Sequence, residues 1–91
     1  MYDKPNISAG LFSAAGLGAA FRANRRALRQ TQASVALRVG CRRQTIADIE
    51  SGKNVEIYTL MAALSALGKG LVIVDARVDL DRLAEMFADD E

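Results

Sequence analysis

The sequence of 91 residues predicts a mainly α-helical domain of four or five short helices, followed by one β-strand. Three observations carry that expectation. Apolar residues recur at helical spacing in four successive windows between positions 16 and 67. Glycine or a small polar turn cluster closes three of those windows, at Gly40, at Ser51-Gly52-Lys53-Asn54 and at Gly68. After the last window the period changes, and the β-branched run Leu71-Val72-Ile73-Val74 stands between glycine and charge.

Taken in order, residues 1–15 are small, mixed and weakly periodic, which predicts a loose arm with a short helix near 8–15. The first full helix is expected over 16–29, where Leu17, Ala20, Phe21, Asn24 and Leu28 share one stripe and the arginines lie mostly off it. Thr31 suits the N-cap of a second helix over 32–39, because its hydroxyl can accept from an early backbone N–H. Val35, Ala36 and Val39 form the buried face of that helix, and Gly40 stops it by taking the left-handed conformation at no steric cost. A third helix over 43–51 turns Ile46 and Ile49 inward and leaves Arg43, Gln44, Thr45 and Asp48 outside. A fourth, from 56 or 57 to 67, carries the stripe Ile57, Leu60, Met61, Leu64 and Leu67. The strand is expected over 70–76 and a final amphipathic segment over 80–87, with 88–91 frayed. The organisation that follows is an arm at 1–15, a helical domain at 16–68 and a strand with an acidic helix or tail at 69–91.

Composition bounds the chemistry. Half the residues are apolar (51%) and a quarter charged (25%), which describes a globular chain able to bury one modest core. The net charge of +1 hides an asymmetry. Residues 22–53 hold eight bases (Arg22, Arg25, Arg26, Arg29, Arg38, Arg42, Arg43, Lys53) against Asp48 and Glu50, whereas residues 75–91 hold seven acids against two arginines. A basic body with an acidic tail suggests a polyanion partner, although two ordinary solvated faces give the same counts. Cys41 is the only cysteine and there is no histidine, so neither an internal disulfide nor the common zinc-ligand sets are available. The sequence offers no phosphate loop, no thiol with a base partner and no carboxylate pair in a recognisable frame, so neither an enzyme nor a cofactor is expected. No segment reads as a signal peptide or a membrane span, and a cytoplasmic, nucleoid-associated protein is the expectation.

Residues 31–50 are the informative stretch. Two short helices flank a tight turn containing glycine, which is the pattern of a helix-turn-helix. In that arrangement the first helix crosses a phosphate backbone, and the second lies in the major groove with its N-terminal residues against base edges. Thr31 and Gln32 stand where free backbone N–H groups favour an anion. Arg42 and Arg43 open the second helix, where a planar guanidinium can bond guanine bidentately or pair with phosphate. Gln44 can read adenine, and Thr45 offers a hydroxyl and a methyl. Lys53 and Asn54 suit phosphate clamps in the next loop. The expected DNA-facing set is therefore Thr31, Gln32, Arg42, Arg43, Gln44, Thr45, Lys53 and Asn54. Arg22, Arg25 and Arg26 read first as surface charge, with phosphate contact as the alternative. Asp48 reads as an intrahelical or solvent partner in preference to a base contact.

Leu17-Gly18, Phe21-Arg22, Arg25, Thr31-Gln32, Val35-Ala36, Gly40, Thr45-Ile46, Ile49-Glu50, Gly52 and Thr59-Leu60 through Leu67-Gly68, in this order and spacing, resemble the Xre, or lambda-repressor-like, helix-turn-helix domain. The resemblance covers about residues 16–68 and implies a structural role for Glu50 at the end of the recognition helix. The chain departs from that pattern at Gln30, usually apolar, at Arg42, usually a small hydroxyl cap, and at Val55, near which a proline is usual. Cys41 takes an apolar turn position. The segment behind the domain is similar to that of HipB-like antitoxins, in which a strand pairs with its copy in a second subunit. A lone strand needs a partner for its backbone groups. Leu71, Val72, Ile73 and Val74 are accordingly expected to form a dimer strand, with a cover over the helices as the alternative. The resemblance implies a homodimeric, autoregulating repressor on a palindromic double-stranded DNA operator, paired with a HipA-like serine/threonine kinase toxin. Two other readings stand beside it: a stand-alone or phage-type repressor, and an adaptor of the same fold that does not bind DNA.

Overall fold

The computed structural model of the chain describes residue 11 and residues 13–75. Residues 11–71 form one unit. Of the other unit, made of residues 1–10 and 72–91, only 72–75 are described. Four helices follow one another: α1, Ala14–Ala27; α2, Gln32–Val39; α3, Arg43–Glu50; and α4, Ile57–Ala66. α3 lies against both α1 and α2, and α4 packs on α2.

α1 begins two residues before its expected start. Ser13, in extended backbone, caps it by accepting from the Gly16 N–H at 3.0 Å. Ala14 and Ala15, the last residues of the short helix expected over 8–15, open the first turn of α1, and half of that expected helix, residues 8–10 and 12, lies outside the described residues. Thr31 caps α2 as expected, its hydroxyl accepting from the Ser34 N–H at 2.9 Å.

All four helices close in the same way. A backbone N–H just past the helix reaches back to a carbonyl five residues earlier: Gln30 to Arg25, Cys41 to Ala36, Lys53 to Asp48 and Lys69 to Leu64. That closure requires one left-handed residue. It is Gly40, Gly52 or Gly68 in three helices, but Arg29, at φ 58°, in α1. An L-residue in this conformation costs on the order of 1 kcal/mol that glycine does not.

Phe21, Val35 and Ile46 are fully buried at the centre of the core, one from each of the first three helices. Ala36, Ile49, Ala63, Leu64 and Leu67 complete it, and Val39, Cys41, Val55 and Leu60 pack half-buried at its edge. The expected inward faces of α2 and α3 are the observed ones. Two others are rotated. In α1 the buried line runs Gly18, Phe21, Arg25, while Leu28 is exposed. In α4 the buried residues are Ala63 and Leu64, followed by Leu67, whereas Ile57 and Met61 face outward beside Tyr58. Residues 57–67 are apolar nearly all round, so helical period alone selects no single face, and contact with α2 decides it.

Gly18 sets the approach of α1 to α3. A Cβ there would stand 2.4 Å from the Ile49 carbonyl oxygen and 2.7 Å from that of Glu50, both backbone atoms that cannot swing away. The end of α3 therefore rests directly on the α1 backbone. Residues 69–75 carry no helix and no assigned strand. The rest of the expected strand, the segment over 80–87 and the tail to 91 lie outside the described residues.

Two substitutions, one in α1 and one in the turn that closes it, are expected to move stability in opposite directions. Alanine for an exposed mid-helix glycine stabilises by about 1 kcal/mol, but Gly18→Ala should destabilise by roughly 2 kcal/mol or more through the clash with α3. Arg29→Gly should stabilise by about 0.5–1 kcal/mol by relieving the left-handed arginine. Urea midpoints at unchanged slope check both, and a stabilised Gly18→Ala chain contradicts the close approach.

Candidate nucleic-acid interface

α3 presents two unlike sides. Ile46 and Ile49 anchor one in the core, and Arg42, Arg43 and Gln44 stand exposed at the opposite end. Arg42 occupies the N-cap with no side-chain hydrogen bond to the helix, so the first N–H groups of α3 keep no side-chain cap. Thr45 is half-buried, its N–H bonded to the Arg42 carbonyl at 3.0 Å. Gln44 donates through Nε2 to the Asp48 carboxylate at 2.9 Å, one turn along the exposed side. Asp48 thus has the intrahelical partner expected of it.

Behind this surface lies a buried ion pair. Arg25 is a core residue, correcting its reading as surface charge. Its Nε donates to Glu50 Oε2 at 2.5 Å and its Nη2 to Oε1 at 3.1 Å, in a bidentate fork. The side chains of Arg25 and Glu50 are only 10% and 5% exposed. Arg25 Nη1 donates to the Gln30 carbonyl at 2.8 Å, while the Arg25 carbonyl accepts the Gln30 N–H at 3.1 Å. One arginine thereby fastens the turn after α1 and the end of α3 together. The sequence signals for this role are the position of Arg25 on the helical line of Gly18 and Phe21 and the structural role that the resemblance implies for Glu50. The partner that makes its burial tolerable lies twenty-five positions away.

Gln32 joins the pair from the start of α2, donating through Nε2 to Glu50 Oε1 at 3.0 Å. Its Oε1 accepts from Arg43 Nε at 3.3 Å. Gln30, at a position usually apolar in the resembled domain, accepts a 2.9 Å bond from the Ser34 hydroxyl. Burial pushes the Glu50 carboxyl up. The hydrogen bonds from Arg25 and Gln32 and the charges of Arg25 and Arg22 pull it down, and they win, leaving its pKa below the usual glutamate value. Burial pushes the Cys41 thiol up, as suits a packing residue.

The expected residues divide into groups. Thr31, Gln32 and Arg43 line one open notch, together with Arg22, Arg26 and Ala33. Arg22 and Arg26 are exposed, as their reading as surface charge expects, and the fold brings them to the mouth of α2. Lys53 and Asn54 line a separate recess with Ala14, Leu17 and Leu60 and do not enter the notch. Leu71, Val72 and Ile73 are exposed and Val74 is half-buried. Among the described residues no cluster of side chains suits a metal ion, and no helix is long and apolar enough to cross a membrane.

A family model described as Helix-turn-helix matches residues 22–74, more than half of the chain. Among solved structures, the chain is similar to a complex of a HipB variant with an O2 20mer, at 26% identity and a TM-score of 0.69. That match covers 74% of this chain and 94% of the other. A HipB–O4 20mer complex matches at 25% identity with the same TM-score, covering 74% of this chain and 96% of that one. No curated protein matches the sequence.

The lowered pKa of Glu50 fixes the sign of a pH effect. A depressed carboxylate contributes stability that is complete above its unfolded value, ordinarily 4.5, and is lost as pH falls through the folded value. Thermal unfolding midpoints measured between about pH 6 and pH 3 should therefore fall more steeply for the natural chain than for Glu50→Gln. Parallel curves would show that the ion pair contributes nothing to folding.

Proposed function

The chain belongs to the helix-turn-helix family, and from that membership we propose that it is a sequence-specific DNA-binding repressor acting as a homodimer on a palindromic operator. One observation carries the reading: the N-terminal ends of α2 and α3 are displayed together around a notch edged by Arg22, Arg26 and Arg43. No carboxylate among the described residues lines the notch, and Glu50, behind it, is already bonded to Arg25 and Gln32, so the notch keeps a net positive charge. Oriented N–H groups and free guanidinium groups favour phosphate. In this reading Arg43 and Gln44 face base edges, and Arg42 and Thr45 flank them. Thr31, Gln32, Arg22 and Arg26 meet the backbone, and Lys53 and Asn54 meet a second phosphate beyond α3. Gln44 reaches adenine with Oε1 and the N–H that its bond to Asp48 leaves over.

The dimer is assigned to Leu71, Val72, Ile73 and Val74, of which the first three expose apolar side chains that suit pairing with their copy about a twofold axis. The two recognition helices then face half-sites about 34–36 Å apart, or a multiple of that spacing. Similarity to two HipB complexes over three quarters of the chain supports an antitoxin that represses its own operon and binds a HipA-like serine/threonine kinase.

Fluorescence anisotropy of the full chain with duplex DNA from upstream of its own gene tests the proposal. Binding should weaken steeply with salt, and Arg22→Ala and Arg26→Ala should each lower the slope of log K against log salt by about 1. Arg43→Ala should reduce the preference over scrambled duplex by about 5- to 100-fold. Equal affinity for operator and scrambled DNA overturns the repressor reading. Pull-down of the full chain from its host without a kinase overturns the antitoxin half alone.

A further inference from the structure

The hydrogen bonds around Glu50 have a direction. An ionised carboxylate only accepts, so the Gln32 amide must turn its NH2 group towards Glu50. The reversed amide would set a carbonyl oxygen against the carboxylate. This fixes the other end of the amide: Gln32 Oε1 faces outward as an acceptor, and Arg43 Nε fills it. Arg43 then keeps its two terminal nitrogens, Nη1 and Nη2, for other partners. A guanidinium can approach the O6/N7 edge of guanine side-on, through Nε and one Nη, or end-on, through both Nη groups. With Nε engaged, only the end-on approach remains. The chain of bonds begins in the core at Arg25 and ends on the exposed face of α3.

We propose that Glu50 is a positioning residue for base reading, acting through Gln32 to hold Arg43 in the end-on orientation. The proposal rests on the reading above that Arg43 meets a base. Gln32 thus links the core to Arg43, and whatever contact it makes to phosphate uses its remaining N–H.

The test uses the full chain and a duplex selected by it from random sequence. The base pair read by Arg43 is the one at which Arg43→Ala loses discrimination. Gln32→Met keeps the Arg25–Glu50 pair and the length of the side chain but breaks the link. It should lower discrimination at that base pair by about tenfold with the salt slope unchanged, while the melting temperature falls only by what the lost bond to Glu50 costs. Glu50→Gln allows the Gln32 amide to reverse, so it should lower discrimination at the same base pair and add no loss in the Gln32→Met background. Gln32→Met combined with Arg43→Ala should be no worse than Arg43→Ala alone. Full discrimination by Gln32→Met, or losses that simply add, overturns the link while Arg43 remains a base reader. Discrimination untouched by Arg43→Ala at every position overturns the reading of Arg43 and the proposal with it.

Discussion

The pair between Arg25 and Glu50 is the constraint on which the rest of the structure depends. It joins α1 to the end of α3, and through Gln30 and Gln32 it holds the turn before α2 and the first residue of that helix. Two charges taken out of water lose several kcal/mol of hydration each, and mutual attraction offsets that loss only with good geometry and further hydrogen bonds. Both conditions hold here. The fork is bidentate, the third guanidinium nitrogen has a carbonyl, and Glu50 Oε1 accepts a second donor from Gln32. Among the described residues no buried side-chain polar atom is left without a partner. Such a pair is weak evidence of net stability against an apolar substitute, but it penalises any arrangement that separates its members.

Backbone contact fixes the same geometry a second time. At Gly18 the α1 backbone meets the last carbonyls of α3 with no side chain between them. Glu50 takes part in both contacts, through its carbonyl at Gly18 and its carboxylate at Arg25. Phe21 lies between those two positions on α1 and fills the space enclosed with Val35 and Ile46. The orientation of α3 is thus over-determined by a close approach, an ion pair and an apolar centre.

A consequence is that the polar ends of α2 and α3 stand in fixed relation. On the proposed reading, their first N–H groups and the arginines beside them face one extended anion without rearrangement, so little of the binding free energy goes into ordering the site. Folding also determines which charges converge. Arg22 and Arg26 line the notch with the start of α2, whereas Lys53 and Asn54, equally polar in sequence, line a separate recess with Ala14 at the start of α1.

The sequence by itself determined the four helices, most of their ends and the inward faces of α2 and α3, because period, caps and turn glycines act within a few residues. It also determined that Thr31, Gln32 and Arg43 belong to one motif, since the turn at Gly40 sets two short helices side by side. Only the tertiary structure decided which side of α1 and α4 is buried. α4 is apolar nearly all round, and the buried line of α1 includes a charge that hydropathy places outside. The role of Arg25 depends on Glu50, twenty-five positions along the chain. No local pattern carries that information, because the stability of a buried charge is a property of the pair and comes into being only when the two helices meet.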